Sequence, residues 1–315
     1  MDLPATGHDP VLLDEVLEGL DPKPGATIVD CTLGRAGHAK AIAARLGPTG
    51  TLVGLDADPR NLEFAQSQLK DAPCRVRLFH ANFAELADVL REVDPDGKGV
   101  DGILADLGLS TNQLFDERYG LSFAQDMPLD MRIDPRTERT AATIVNTMRE
   151  EDLANLLYQL ADERFSRRIA RKIADARRVS PINSTEQLAD LVRSAIPQRG
   201  GVPRGRNRSD SSKIDPATRT FMALRMAVND EIPNLTALLE RAPRALKPGG
   251  RLAVISFHST EDRAVKLAFR SAEQTGLLKV LTNKPLSPAD DELARNPRSR
   301  SAKLRIAEKE VGRRQ

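Results

Sequence analysis

An α/β fold, a parallel sheet interrupted by an all-helical insert, is predicted by three features of the 315-residue sequence. Over the first hundred residues short apolar runs alternate with helical patterns, which is how βαβ units and a parallel sheet read. The alternation then stops from Leu107 to about Glu231, where the pattern is helical. It resumes with a further apolar run at Arg251–Ser256. At roughly 150 residues per domain the length accommodates two domains. The expected boundaries are 1–106 with 232–315 for the sheet and 107–231 for the insert.

Thr27–Cys31 (TIVDC) reads as a buried strand, and a helix follows over about His38–Leu46. Thr51–Leu55 is a second strand. The next helix starts at Pro59, because proline's fixed φ and missing N–H suit a first helical position. Arg75–His80 is a third strand, Phe83–Val93 a helix and Asp101–Ala105 a fourth strand. In the insert, apolar spacing predicts helices at Glu151–Leu160, Arg164–Arg178, Thr185–Ala195 and Pro216–Val228. The third is capped from Asn183-Ser184-Thr185, and a Gly/Pro/Arg-rich break falls at Arg199–Ser212. A helix near Asn234–Leu246 leads through a tight turn at Lys247-Pro248-Gly249-Gly250 into the strand Arg251–Ser256. A helix at Glu261–Ser271 and a strand pair, Leu277–Thr282 with Ala302–Ala307, complete the pattern.

Composition narrows the function classes. Hydrophobic residues make up 40% and charged ones 29%, a globular balance. No window approaches the ~18 apolar residues of a membrane span, and the first ten residues have neither a basic start nor an apolar run. A soluble, cytoplasmic protein without a membrane partner is therefore expected. Cys31 and Cys74 form no CxxC or metal-ligand cluster, which excludes a disulfide scaffold and a structural zinc site; both read as small buried residues. Nine Phe, two Tyr and no Trp argue against a broad stacking platform for single strands.

The net charge of +2 hides an uneven distribution, in which 35 of the 47 basic residues are Arg. Arginine meets planar oxyanions through a rigid fork and suits phosphate backbones better than lysine does. Glu163–Arg178 carries seven basic and two acidic residues, Arg199–Lys213 five and one, and Arg295–Arg314 eight and two. Asp101–Asp134 carries seven acids and two Arg. A charged helix face is commonly no more than solvated, but three such stretches with an Arg bias point to a polyanionic partner.

The loop after the first strand is Asp30-Cys31-Thr32-Leu33-Gly34-Arg35-Ala36-Gly37-His38. Glycines here let the backbone approach a ligand closely at a helix N-terminus. The GxGxxG spacing of a dinucleotide site is missing, since Gly34 and Gly37 stand as GxxG. Asp30 would repel a pyrophosphate, whereas it would attract the ammonium and sulfonium of S-adenosylmethionine. Asp56 ends the second strand about twenty residues on, where a carboxylate can accept both ribose hydroxyls of an adenosine; Asp58, before Pro59, fits a helix cap better. Phe83, after the third strand, either packs beside an adenine or belongs to the core. Asp106 ends the fourth strand, and ligands of this fold class meet at the carboxyl ends of the strands. An acceptor there could take the hydrogens of an exocyclic amine, favouring sp³ geometry and freeing the lone pair for in-line attack on a methyl group. The usual Asp/Asn/Ser-Pro-Pro-aromatic tetrapeptide of amino-methyltransferases is not present.

At this point the residues resemble those of a known family. Pro10-Val11-Leu12-Leu13-Asp14-Glu15-Val16, Gly37-His38, Asp101-Gly102-Ile103-Leu104-Ala105-Asp106-Leu107-Gly108 and Pro128-Leu129-Asp130-Met131-Arg132 are part of the likeness. So are Pro216-Ala217-Thr218-Arg219-Thr220-Phe221, Ser256-Phe257-His258-Ser259, Glu261-Asp262-Arg263 and Asn296-Pro297-Arg298-Ser299-Arg300-Ser301. One such string would be weak; this many in one order, nearly end to end, is specific. The chain resembles the MraW/RsmH family. The resemblance implies a Rossmann-like class I S-adenosylmethionine-dependent methyltransferase sheet carrying an inserted helical substrate domain. It implies methylation of the N4 amine of a cytidine in the decoding region of small-subunit (16S) ribosomal RNA, with the small ribosomal subunit as partner. Cofactor contacts are implied at Ala36, Gly37, His38, Asp56, Phe83, Asp106 and Gln113. Of these, Gly37, Asp56 and Asp106 also follow from the chemistry above, whereas His38 and Gln113 rest on the resemblance alone. Asp106 is the candidate catalytic residue, in contact with cofactor, substrate amine or both. Ala36, often Gly in the family, narrows backbone approach slightly. Asp215, Thr111, Thr260 and Leu121 stand where His, Ser, Leu and Phe are common.

Other residues near these motifs have bland readings as well. His258 serves either the substrate or a structural hydrogen bond. Asp130 and Arg132 are expected to pair with each other, and Tyr119 and Phe123 to pack in the core rather than stack an extruded base. No metal is expected, since methyl transfer from a sulfonium requires no Lewis acid. Two other functions compete: a ribosome-assembly RNA-binding protein with a vestigial cofactor fold, and a DNA amino-methyltransferase. The intact acids at 30, 56 and 106 count against the first, the missing tetrapeptide and the Arg-rich insert against the second. A homodimer is compatible with the sequence, which carries no signature for it.

Overall fold

The computed structural model describes residues 10–197 and 215–311. Two compact units divide them: the described residues up to Ser110 together with those from Ile232 onward, and Thr111–Glu231.

The first unit is built on a seven-stranded sheet. Its strands are β1 (Thr27–Asp30), β2 (Thr51–Asp56), β3 (Arg75–His80), β4 (Val100–Asp106), β5 (Leu246–Ser256), β6 (Leu278–Val280) and β7 (Lys303–Lys309), in the order β3-β2-β1-β4-β5-β7-β6. The pairs from β3 through β5 are parallel, and β7 runs antiparallel to both β5 and β6. The order reverses at the β1–β4 boundary, the switch point where open α/β sheets bind ligands. This is the Rossmann-like class I methyltransferase sheet that the resemblance implies, and the Leu277–Thr282 and Ala302–Ala307 runs form its antiparallel pair.

Helices cover both faces. One face takes α1 (Leu13–Leu20), α2 (Gly37–Leu46) and α3 (Pro59–Leu69), whose Val16, Leu17, Ile42, Leu46 and Leu69 pack over Ile28, Leu52 and Leu104. The other face takes α4 (Leu86–Val93), with Leu86 and Val89 packed on Val29, Val53 and Ile103. β1, β2, β4 and β5, buried over most of their length, read as continuous apolar runs, and that is why they were legible, whereas β3 is only partly buried. Asp58 caps α3, its Oδ1 accepting from Arg60 N at 3.0 Å, with Pro59 opening the helix as expected. The helix expected from Phe83 begins as a single 3-10 turn, Phe83–Glu85, capped by Asn82, and becomes α-helical only at Leu86.

In the second unit lie α5 (Thr111–Phe115), α6 (Ala141–Thr147), α7 (Glu150–Ala161), α8 (Ser166–Arg177), α9 (Thr185–Ala195) and α10 (Thr218–Val228). Ser184 caps α9 through a reciprocal bond with Gln187, three residues on. The chain then returns to the first unit through α11 (Glu231–Ala245), and α12 (Ser259–Gln274) and α13 (Asp290–Arg295) follow. Leu238 of α11 and Phe269 of α12 join the core that α4 covers.

Three expectations need correction. The stretch from Leu107 to Glu231 is not helical throughout, because residues 116–140 form no regular element. Gly120, at φ +61, and two prolines break the backbone there, and its N–H and C=O groups pair across loops, as in Leu129 N–H to Asn183 O and Met131 N–H to Tyr119 O. The turn expected at Lys247–Gly250 is a bulge inside one strand, where the β4–β5 register steps from Val100↔Leu246 to Gly102↔Arg251. Finally, Cys74 is only partly buried, whereas Cys31 is fully so and its thiol is pushed far up by burial. The basic Arg199–Lys213 stretch, with the break expected within it, lies outside the described residues.

Candidate active site

Parallel strands lying side by side put their carboxyl ends on one edge of the sheet. Asp30, Asp56 and Asp106 are the last residues of β1, β2 and β4, so three carboxylates converge around the switch point. The loop after β1 is stitched between the neighbouring strands. Leu33 N–H donates to Leu55 O at 2.9 Å and Gly34 N–H to Asp56 Oδ2 at 2.7 Å on the β2 side. On the β4 side, Asp106 N–H donates to Thr32 Oγ1 at 2.6 Å. Gly34 (φ +51) and Ala36 (φ +62) take left-handed conformations, so the chain turns sharply into α2. At Gly37 a side chain would stand 3.2 Å from Pro10 Cβ, a tight contact that the glycine avoids.

The three acids differ in how their burial is relieved. Asp56 accepts from Gly34 N–H, from Asp58 N–H at 2.8 Å and from Asn61 Nδ2 at 3.3 Å. Burial raises it to about 6, against the pull of the Asp58 and Gly34 amides. Asp30 is likewise raised to about 6 by burial; His38 and the Thr32 amide oppose the rise, and Asp106 and Asp56 add to it. Asp106 reaches about 7 through burial and the negative charge of Glu261. Its Oδ1 is buried and has no hydrogen-bond partner. Such an orphaned acceptor is costly unless something else supplies the donor.

His38 lies beside this acceptor. Its Nε2 is 2.9 Å from Val11 O, and a carbonyl only accepts, so Nε2 carries the hydrogen. Burial lowers the pKa of the ring, which keeps it neutral and leaves Nδ1 bare, 3.8 Å from Asp106 Oδ2. Phe83 opens the short turn after β3 and packs against the core. The first unit thus brings together Ala36, Gly37, His38, Asp56 and Asp106 around the loop after β1, with Phe83 following the neighbouring β3. Gln113 is buried on α5 of the second unit.

A model of the MraW methylase family matches residues 5–310. The chain belongs to the MraW methylase family. Relatives within this methylase family are similar over nearly the whole chain. A protein of Acidobacterium capsulatum named ribosomal RNA small subunit methyltransferase H is 46% identical, over 96% of this chain and 98% of its own. Proteins of the same name from Geobacter sulfurreducens (45%; 96% and 98%) and Synechococcus elongatus (46%; 96% and 94%) are similar to the same extent.

Sequence reasoning missed residues that act on the acids and on His38 of this methylase. Thr32, Val11, Asn61 and Glu261 act on Asp106, His38, Asp56 and Asp106 respectively. Thr32, inside the loop already singled out, was the one with a usable signal. Val11 and Glu261 stand in motif strings already singled out, but nothing local tied them to His38 or Asp106, and Asn61, five residues past Asp56, had no signal of its own. The bland readings hold for several residues. His258 caps α12, its Nδ1 accepting from Glu261 N at 3.4 Å. Arg132 grips Asp130 through Nε and Nη2, both at 2.8 Å. Tyr119 is buried, and Phe123 meets Phe221 edge to face at 4.6 Å.

Proposed function

We propose that the chain transfers a methyl group from S-adenosylmethionine to the exocyclic N4 amine of a cytidine in the decoding region of 16S ribosomal RNA, acting on the small ribosomal subunit. The observation that carries this reading is the orphaned, buried Oδ1 of Asp106 at the carboxyl end of β4. Family membership and the relatives' shared name support it.

The residues present fit the cofactor. Two further buried carboxylates, at 30 and 56, ask for positive charge or hydroxyl donors, and the loop from Gly34 to Gly37 offers close backbone approach. Asp30 would hold the charged methionine portion, Asp56 the ribose and Phe83 the adenine, with Ala36, Gly37 and His38 beside them; Gln113, on the second unit, is assigned to the cofactor by the family resemblance alone. When bound, the cofactor supplies a methyl group activated by a positively charged sulfur.

Asp106 does the work on the amine. Its carboxylate accepts an amino hydrogen at Oδ1, drawing the nitrogen out of conjugation with the ring and aligning the lone pair. Were the cofactor bound, its activated methyl group would pass to the amine with the sulfur keeping the bonding pair, and Asp106 would take the proton released from nitrogen. Asp106 would keep that proton, because His38 Nδ1, 3.8 Å from Oδ2, belongs to a ring that burial holds neutral, and would yield it to solvent on product release. A cytosine inside a stacked fold cannot enter a site at the strand ends, so it is flipped out or already unpaired. The helical unit holds the surrounding RNA.

Mass spectrometry of nucleosides from small-subunit rRNA of a strain lacking this protein tests the reading. N4-methylation of one cytidine should disappear and return with the wild-type gene. An unchanged nucleoside profile would overturn it.

A further inference from the structure

The second unit carries positive charge that the fold itself does not use. α8 buries Ile169, Ala170, Ile173 and Ala174 and leaves Arg167, Arg168, Arg171 and Lys172 exposed, with Arg164 exposed just ahead of it. Two other cations of the stretch are engaged: Arg177 Nη1 donates to Val145 O at 2.7 Å, and Arg178 pairs with Asp175 at 3.1 Å. Among the described residues no ion pair holds Arg164, Arg167, Arg168, Arg171 or Lys172.

This arrangement works against the helix that bears it. Arg167 and Arg168 occupy the first turn, where the helix dipole favours acids. Arg167 and Arg171, and Arg168 and Lys172, are like charges four residues apart on the helix, which repel. Other helices follow the stabilising rule, with Glu150, Glu151 and Asp152 opening α7 and Glu261 and Asp262 opening α12. Glu163, the acid at this end of α8, is buried and accepts from Phe165 N–H at 2.9 Å. Four of the five unengaged cations are arginines, the residue whose fork matches a phosphate.

An aromatic ring stands at the same end. Tyr158, on the last turns of α7, is 58% exposed. The short connection 162–165 joins the end of α7 to the start of α8, so Tyr158 lies at the same end of the helix pair as Arg164, Arg167 and Arg168. Of the exposed positions around it, Asn155 and Gln159 are uncharged, and Asp162, which ends the helix, is acidic. The other tyrosine, Tyr119, is buried. Unengaged cations that track a backbone, beside a ring that accepts a base, are how single strands are held.

We propose that the end of α7 and the outer face of α8 form a docking surface for a single-stranded segment of the RNA substrate, with a base stacked on Tyr158 and phosphates on Arg164, Arg167, Arg168, Arg171 and Lys172. This rests on the reading of the chain as an RNA methyltransferase and assigns that reading its RNA-holding face. One stacking residue is no broad platform, so the surface holds a short segment and leaves selection of the cytidine to the site in the first unit.

The test uses the full chain and a fluorescently labelled oligocytidine of about twelve nucleotides, with binding followed by anisotropy from about 50 to about 400 mM salt, a range suited to measuring counterion release. The double variant Arg168→Gln/Arg171→Gln should bind more weakly and lower the slope of log K against log salt by about 0.7 for each phosphate no longer neutralised. Arg178→Gln, which removes a cation already paired to Asp175, should leave the slope unchanged. Tyr158→Ala should weaken binding about 5- to 150-fold at constant slope, the range for one stacked base, and Tyr158→Phe should restore it. Circular dichroism establishes that each variant is folded. An unchanged slope in the double variant, an equal change from Arg178→Gln, or tight binding by folded Tyr158→Ala would each overturn the proposal. Methyl transfer to small subunits, measured alongside, separates the two readings. If wild type binds RNA through this face but transfers no methyl group, the enzymatic reading fails and the surface stands. If it transfers methyl groups and the variants bind RNA normally, the surface fails and the enzymatic reading stands.

Discussion

At Asp106 the buried environment and the charge of Glu261 bring a carboxyl group to about 7. Its unfolded value lies near 4, so between these limits the native state holds a proton that the unfolded chain has released. The associated stability is fully present below about pH 4 and is lost as pH rises through about 7. Asp106→Asn removes that dependence: between about pH 5 and 8 the urea midpoint of the wild type should fall relative to the variant, and parallel midpoints would mean that Asp106 titrates normally. Asp30 and Asp56, each near 6, behave alike over the lower part of this window. Ionisation of these acids favours a bound cation, so affinity for S-adenosylmethionine should rise over about the same pH range in calorimetric titrations. A flat profile would separate the acids from the cofactor. Asp106→Asn should also lower kcat on small subunits by about 10²–10⁴, the scale of a lost general base. Asp56 has a double task, since it accepts from the Gly34 and Asp58 amides as well as facing the ribose site. Asp56→Ala should therefore weaken cofactor binding by about 1–3 kcal/mol and also lower thermal stability, because it strands buried donors; a change in only one of the two would divide those tasks.

Elements were legible where their signals are local. Asp58-Pro59 announces α3, and Ser184 with its partner three residues on announces α9. Ser184→Ala should cost about 1 kcal/mol of unfolding free energy in denaturant titration, the usual value of a lost cap; a negligible change would show that tertiary packing alone holds that helix end. Ala36 sits in the left-handed region just before α2, which costs a side-chain-bearing residue about 1 kcal/mol. Ala36→Gly should recover much of that strain, partly offset by the greater freedom of glycine in the unfolded chain, and a lowered melting temperature would show the Ala36 methyl to be worth more as core packing. The short helices α1, α5, α6 and α13 escaped notice because a few turns carry too little periodicity to stand out. Residues 116–140, within the stretch read as helical, hold instead a loop core in which Leu121, Met127 and Leu129 are buried without helical spacing.

For the whole molecule, the proposed roles of the two units predict separable effects. Asp56→Asn should raise the Kd for S-adenosylmethionine and leave oligocytidine affinity within about twofold, a difference below about 0.5 kcal/mol. Arg168→Gln/Arg171→Gln should do the reverse and raise KM for small subunits at nearly constant kcat. Equal loss of both affinities in either variant would refute the division of labour. No described helix is long and apolar enough to cross a membrane. The sequence by itself determined the parallel sheet, the interrupting helices and the acids at 30, 56 and 106, because strand burial, helix caps and strand-terminal acids are all written in local runs of residues. Only the tertiary structure decided which acids are relieved and which are not. Asp56 finds three donors, whereas Asp106 Oδ1 finds none, beside a histidine whose tautomer a distant carbonyl sets. Those relations join residues far apart in the chain, and burial and the charges of neighbours exist only once the sheet has brought its strand ends together.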